Sequence, residues 1–127
     1  MTPIAAAARS ARERAHAPYS KFKVGAAVLA DGAIHAGCNV ENASFGLTIC
    51  AERNAVAAAV LAGATQLDAV VVVSGTTPPT PPCGACLQVL AEFGAAGLPV
   101  ILMGGRGALQ ETTLGALLPR AFSKKFL

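Results

Sequence analysis

Cys50-Ala51-Glu52 and, after a long interval, Pro82-Cys83-Gly84-Ala85-Cys86 are the segments of this chain whose residue types and spacing can do chemistry. Together they offer three thiols and one carboxylate. Three thiolates can hold a zinc ion and leave its fourth position open to water, while a carboxylate two residues from a ligand can move a proton of that water. Cys83 and Cys86, three apart at a helix start, present both sulfurs on one helical face, and Cys50 at the start of a facing helix can supply the third. The free N–H groups and positive end of a helix favour thiolate, the form that binds metal. Zinc with three thiolates and a hydroxide sums to about −2, and Arg53, next to Glu52, is the natural counter-ion. The competing reading is a structural zinc closed by Cys38, but such sites normally bring a second paired spacing, and a carboxylate beside Cys50 has no use in one.

The elements that must position these groups follow from punctuation and periodicity. Pro3 opens a helix through the alanine-rich run ending near Ala15, with arginines toward its C-terminal half, and Pro18 lies beyond it. Phe22 to Ala30 reads as a strand, Asp31-Gly32 as a tight hairpin turn, and Ala33 to Cys38 as the returning strand. An irregular polar stretch from Cys38 to Ile49 leads into a helix from about Cys50 to Leu61, ended by Gly63. Ala69 to Ser74 is a β-branched apolar run, the pattern of a strand covered on both faces. The proline-rich segment from Gly75 to Pro82 is a loop, and a second chemistry-bearing helix runs from about Cys83 to Phe93, with Gly94 as its stop. Val100 to Met103 is another buried strand, Ala108 to Thr112 a weaker one, and Leu114 to Leu118 a short helical turn. This order predicts an α/β fold, a mixed sheet with helices on its faces, as one domain over residues 1–127.

Composition narrows the function. The chain has 127 residues and is 54% hydrophobic, but alanine and valine in short segments carry that fraction, and the apolar stretches Ala55–Ala62 and Ala69–Val73 are too short to span a bilayer. No signal peptide is read at the start, so a soluble, cytoplasmic protein with reduced thiols is expected. The formal net charge of +3 comes from ten scattered basic residues, and only six Phe and Tyr residues are available for stacking. Neither a basic groove nor an aromatic platform for nucleic acid is evident. A small, weakly charged substrate fits better.

Over nearly its whole length the chain resembles the small homotetrameric cytidine deaminases. The resemblance is carried by Pro18-Tyr19-Ser20-Lys21-Phe22, Val24-Gly25-Ala26-Ala27, Gly37-Cys38-Asn39-Val40-Glu41-Asn42-Ala43, Cys50-Ala51-Glu52-Arg53, Pro82-Cys83-Gly84-Ala85-Cys86 and Leu117-Leu118-Pro119. It implies a three-layer α/β/α sandwich with a mixed, mostly five-stranded sheet, and one Zn2+ per subunit on Cys50, Cys83 and Cys86. It also implies hydrolytic deamination of free cytidine and deoxycytidine in pyrimidine salvage, with zinc lowering the pKa of its water to about 7. In the family pattern Glu52 is the proton shuttle, Asn39 and Glu41 contact the ribose, the Ala51 N–H grips the base O2 and Phe22 lies beside the pyrimidine. Phe122 matches an aromatic supplied by a neighbouring subunit, so the resemblance implies a homotetramer with shared sites, a nucleoside as substrate, and neither nucleic acid nor membrane as partner. Two positions depart from the family: Leu87 stands where arginine is common, removing a basic contact, and Phe45 where tyrosine is common, removing a hydroxyl. Deamination of another aminopyrimidine, such as a nucleoside antibiotic or a polynucleotide base, and a non-catalytic zinc module are the alternatives.

Overall fold

Alanine and glycine let the layers of this molecule approach backbone to backbone, and the sheet is where that begins. The computed structural model describes residues 2–127. Five strands, β1 (Gly25–Ala30), β2 (Ala33–Cys38), β3 (Ala69–Val73), β4 (Pro99–Met103) and β5 (Leu109–Thr113), form one sheet in the order β2-β1-β3-β4-β5. The β1–β2 hairpin is closed by Asp31 and Gly32, both at positive φ (52° and 79°), the geometry whose twist matches paired strands. β3 and β4 are the one parallel pair among these strands, which requires a crossover, supplied by helix α3 (Gly84–Phe93).

Strand alternation sorts side chains into two cores. Val28, Val70, Val72, Val100 and Leu102 face helix α2 (Ala51–Leu61), α3 and the short α4 (Leu114–Leu117), where they meet Ala55, Leu90 and Leu114. Ala27, Val71 and Val73 face helix α1 (Pro3–Glu13) and pack on Ala5 and Ala8. The result is the expected three-layer α/β/α sandwich with a mixed five-stranded sheet.

Three helix ends have identifiable causes. Thr2 caps α1, its hydroxyl accepting from Ala5 N–H at 3.3 Å, with Pro3 in the first turn where no N–H is needed. At the end of α2, Ala64 N–H donates to Ala59 and Gly63 N–H to Val60, the paired bonds of a left-handed glycine stop with Gly63 at φ +97°. Gly94 ends α3 in extended backbone, φ −125°, donating its N–H to Leu90.

Two glycines set how closely helices lie on the sheet. A Cβ at Gly37 would collide with Ala55 N and Ala51 O, so α2 rests directly on β2; a Cβ at Gly25 would collide with Ala8 O and Arg12 N, so α1 rests on β1. The first of these contacts seats the turn of α2 that carries Cys50 and Glu52.

One expected boundary is corrected. The strand predicted from Phe22 begins only at Gly25, because the 22–24 backbone pairs with a side chain: Asn39 Oδ1 accepts from Val24 N–H at 2.9 Å, and Asn39 Nδ2 donates to Phe22 O at 2.7 Å. Among the described residues, no helix is long and apolar enough to cross a membrane.

Candidate active site

Cys50 and Cys83 are the N-caps of α2 and α3, so both helix N-termini point at one place. Cys86 lies one turn into α3 and is buried at 1% exposure. The three Sγ atoms lie within 4.8 Å of one another, with Cys83 and Cys86 at 3.5 Å. Tetrahedral zinc with bonds of about 2.3 Å spaces its sulfurs by about 3.8 Å, so the cluster has the right size. Cys38 is not part of it.

The ionisation of the cluster makes the same point chemically. The Cys50 thiol is lowered to about 5, first by the hydrogen bond it shares with Cys86 and then by Arg53. Cys86 is pushed the other way by that same bond, by burial and by the charges of Glu52 and Cys50. Without a cation, charge on Cys50 therefore disfavours charge on Cys86. A divalent ion removes that conflict, and three soft thiolates suit zinc. Arg53 Nη2 reaches Cys50 Sγ at 3.6 Å and Thr48 O at 3.4 Å, placing its charge against the thiolate.

Glu52, in the first turn of α2, is 5% exposed, and its carboxyl is raised above the usual range, chiefly by burial and further by the Cys50 charge. It shares with Cys50 and Cys83 a cavity of about 250 Å³. Phe22, Asn39, Glu41 and Ala51 line the same cavity, so the structure brings together all but one of the residues read as substrate contacts. The exception is Phe122, which does not line this cavity. It is 57% exposed, stacks on Phe126 at 5.9 Å, and is tethered through its carbonyl, which accepts from Gln88 Nε2 at 2.8 Å.

Asn39 and Glu41 do more than sequence reading anticipated. The Glu41 carboxylate accepts from Tyr19 N–H (3.0 Å), Ser20 N–H (3.1 Å) and the Ser20 hydroxyl, and these bonds hold its pKa below the ordinary value. Together with the Asn39 amide it straps residues 19–24 into the cavity wall. The left-handed Lys21 (φ 60°) in that stretch is the sequence-invisible turn that needs this support.

Wall residues missed by sequence reading include Ser20, Thr48, Val72 and Thr80. Thr80 is joined through Thr76 Oγ1 (2.7 Å) to Ser74 at the end of β3 (3.2 Å), and Pro81-Pro82 stiffens the step from Thr80 to Cys83. A hydroxyl three residues before a ligand, followed by two prolines, is the signal that was available. The two departures also find their places. Leu87 is buried in the main core at 7% exposure. Phe45 is 75% exposed with its ring 5.9 Å from Tyr19, beside the cavity mouth.

Residues 3–102 match the family model described as the cytidine and deoxycytidylate deaminase zinc-binding region. The chain is 50% identical over 125 residues to a cytidine deaminase of Sporosarcina psychrophila, covering 98% of this chain and 92% of that one. It is 51% identical over 114 residues to a cytidine deaminase of Halalkalibacterium halodurans, covering 89% and 86% respectively. Its fold is similar to the crystal structure of cytidine deaminase from Burkholderia pseudomallei, with a TM-score of 0.90 and 50% identity over 96% of this chain and 100% of that one.

If zinc is held by these three sulfurs alone, Cys86→Ala should lose the metal and unfold at lower temperature, whereas Cys38→Ala should keep one zinc per chain. Metal analysis of the purified variants, paired with thermal melts, checks both. Loss of zinc from Cys38→Ala would mean a fourth protein ligand and a closed site.

Proposed function

The chain belongs to the cytidine and deoxycytidylate deaminase zinc-binding family, and on that premise we propose that it hydrolyses free cytidine and deoxycytidine to uridine and deoxyuridine, releasing ammonia. One observation carries the choice of substrate: the cavity holding Glu52, Cys50 and Cys83 has no lysine or arginine in its lining, and Glu41 adds a negative charge to its wall. A neutral nucleoside fits such a cavity, whereas a 5′-phosphate would meet the Glu41 carboxylate and no lysine or arginine of the lining, Arg53 being engaged with Cys50 and Thr48. The same absence speaks against a polynucleotide base as substrate.

Cys50, Cys83 and Cys86 would hold the zinc, which when bound supplies a Lewis acid able to make water nucleophilic near neutrality. Glu52 takes a proton from the attacking water and delivers it to N3 of the base, which makes C4 more electrophilic. It then takes the remaining proton of the new C4 hydroxyl and delivers it to the amine, which leaves as ammonia while C4–O becomes a carbonyl. A carboxyl raised by burial is suited to this exchange, because it holds a proton more readily than one in water. Arg53 offsets charge on Cys50 and stabilises it as thiolate. The Ala51 N–H, in the first turn of α2 where backbone donors have no intrahelical partner, is available to the base O2. Phe22 flanks the pyrimidine. Asn39 and Glu41 keep part of their hydrogen-bonding capacity beyond the wall contacts, and that remainder takes the ribose hydroxyls.

The assembly proposed is a cytoplasmic homotetramer acting in pyrimidine salvage, in which Phe122 reaches a neighbour's cavity. Its support is the exposure of Phe122 and of other large apolar groups, Phe45 at 75% and Leu47 at 64%, in the short turn Phe45–Leu47 near the cavity mouth.

Glu52→Gln should retain one zinc per chain and lose roughly 10²–10⁴-fold or more in turnover of cytidine, since ligation needs the thiols and proton transfer needs a titrating carboxyl. Zinc analysis beside steady-state kinetics decides it, and near-normal turnover in the zinc-loaded variant would sink the shuttle. Truncation after Pro119 should raise KM for cytidine with zinc content unchanged, and sedimentation of the full chain should report four copies. A fully active monomer, or unchanged kinetics after truncation, would reduce Phe122 to packing.

A further inference from the structure

The sheet separates the catalytic cavity, which includes Val72, from a second cavity of about 380 Å³ on the α1 face, which includes Val73. Three arginines line it: Arg9 and Arg12 from α1, and Arg106 from the turn after β4. Glu13 is the one carboxylate in the lining, so the formal balance of these side chains is three positive against one negative. The floor is backbone. Gly75 follows β3, and Gly104, Gly105 and Gly107 follow β4, at the carboxyl ends of the two parallel strands, the edge at which α/β sheets receive ligands.

Of the three, Arg12 is held in place, while Arg9 and Arg106 are exposed. Arg12 donates Nε–H to Lys23 O at 2.9 Å, which uses one of the five N–H donors of the guanidinium and fixes its plane. A Cβ at Gly75 would lie 2.8 Å from Arg12 Nη2, so glycine there admits the guanidinium against the chain. Arg106 stands at φ 57°, ψ 35°, a left-handed position that a non-glycine residue seldom takes, between Gly105 and Gly107. Arg9 lies three residues before Arg12, on the same helical face.

We infer that this cavity binds a phosphate group, with the arginines as its cationic clamp. Guanidinium forks match phosphate oxygens in pairs, a dianion offsets the surplus positive charge, and the volume exceeds what a bare phosphate needs. The site is separate from the reaction and does not depend on the substrate assigned above. Its ligand chemistry is the one the catalytic cavity excludes.

Calorimetric titration of the zinc-loaded full chain at low ionic strength tests this, first with inorganic phosphate and then with uridine 5′-monophosphate while saturating uridine fills the catalytic cavity. One equivalent of phosphate bound per chain is expected. Tighter binding of the nucleotide identifies a nucleoside monophosphate as the occupant, and equal binding identifies free phosphate; either result supports the site. The double variant Arg9→Ser/Arg106→Ser should raise Kd for both probes at least tenfold, with kcat and KM for cytidine in phosphate-free buffer unchanged. Absence of binding by both probes, or an unmoved Kd in the double variant, overturns the proposal.

Discussion

The structure depends on bringing three sulfurs, each able to carry negative charge, within 4.8 Å of one another at the facing ends of two helices. Like charges at that range repel strongly in a partly buried setting. The fold meets the repulsion with two positive helix termini and the Arg53 guanidinium, and a zinc ion completes the balance. This requirement explains why the two helices begin where they do. It also gives Glu52 its character, because a carboxyl buried beside thiolate charge holds its proton more firmly than one in water.

Small residues make that convergence possible. Gly37 lets α2 sit on β2 without an intervening side chain, and Gly25 does the same for α1 on β1. Ala51, Ala55 and Ala59 are fully buried, which keeps the helix close along its length. The cost is a core with little bulk per side chain: the largest fully buried groups are leucines and valines such as Leu90, Leu102 and Val28, and no fully buried side chain among the described residues is aromatic. The aromatic residues are instead available at the cavity wall, at its mouth and in the C-terminal segment, as Phe22, Phe45 and Phe122 are. Apolar content that reads as excess in the composition is therefore divided between close-packed alanines and exposed aromatics.

Much of the fold was legible because its signals are local. Asp31-Gly32 marks the hairpin, Ala33 to Cys38 is the returning strand, Gly63 stops α2, and the β-branched run after Ala69 is a central strand. The meeting of Cys50, Cys83 and Cys86 was legible from spacing and from the resemblance. What escaped depends on contacts between distant segments. Asn39 replaces a strand partner for residues 22–24, and Glu41 straps the Tyr19-Ser20 turn; neither bond leaves a mark in local periodicity. The basic residues read as scattered along the chain, yet folding places Arg106 across from Arg9 and Arg12 around one cavity. Leu87 read as a departure from the family pattern, and its burial in the core is set by the packing of α3.

Everything in this site turns on whether the cluster converts cytidine through its metal. The most direct measurement follows the ultraviolet absorbance of cytidine with the purified chain, then after exhaustive chelation, then after stoichiometric zinc is returned. Conversion to uridine should stop on chelation and recover with one zinc per chain. Conversion that persists in metal-free protein, or no conversion by protein with zinc bound, would contradict a metal-dependent deaminase.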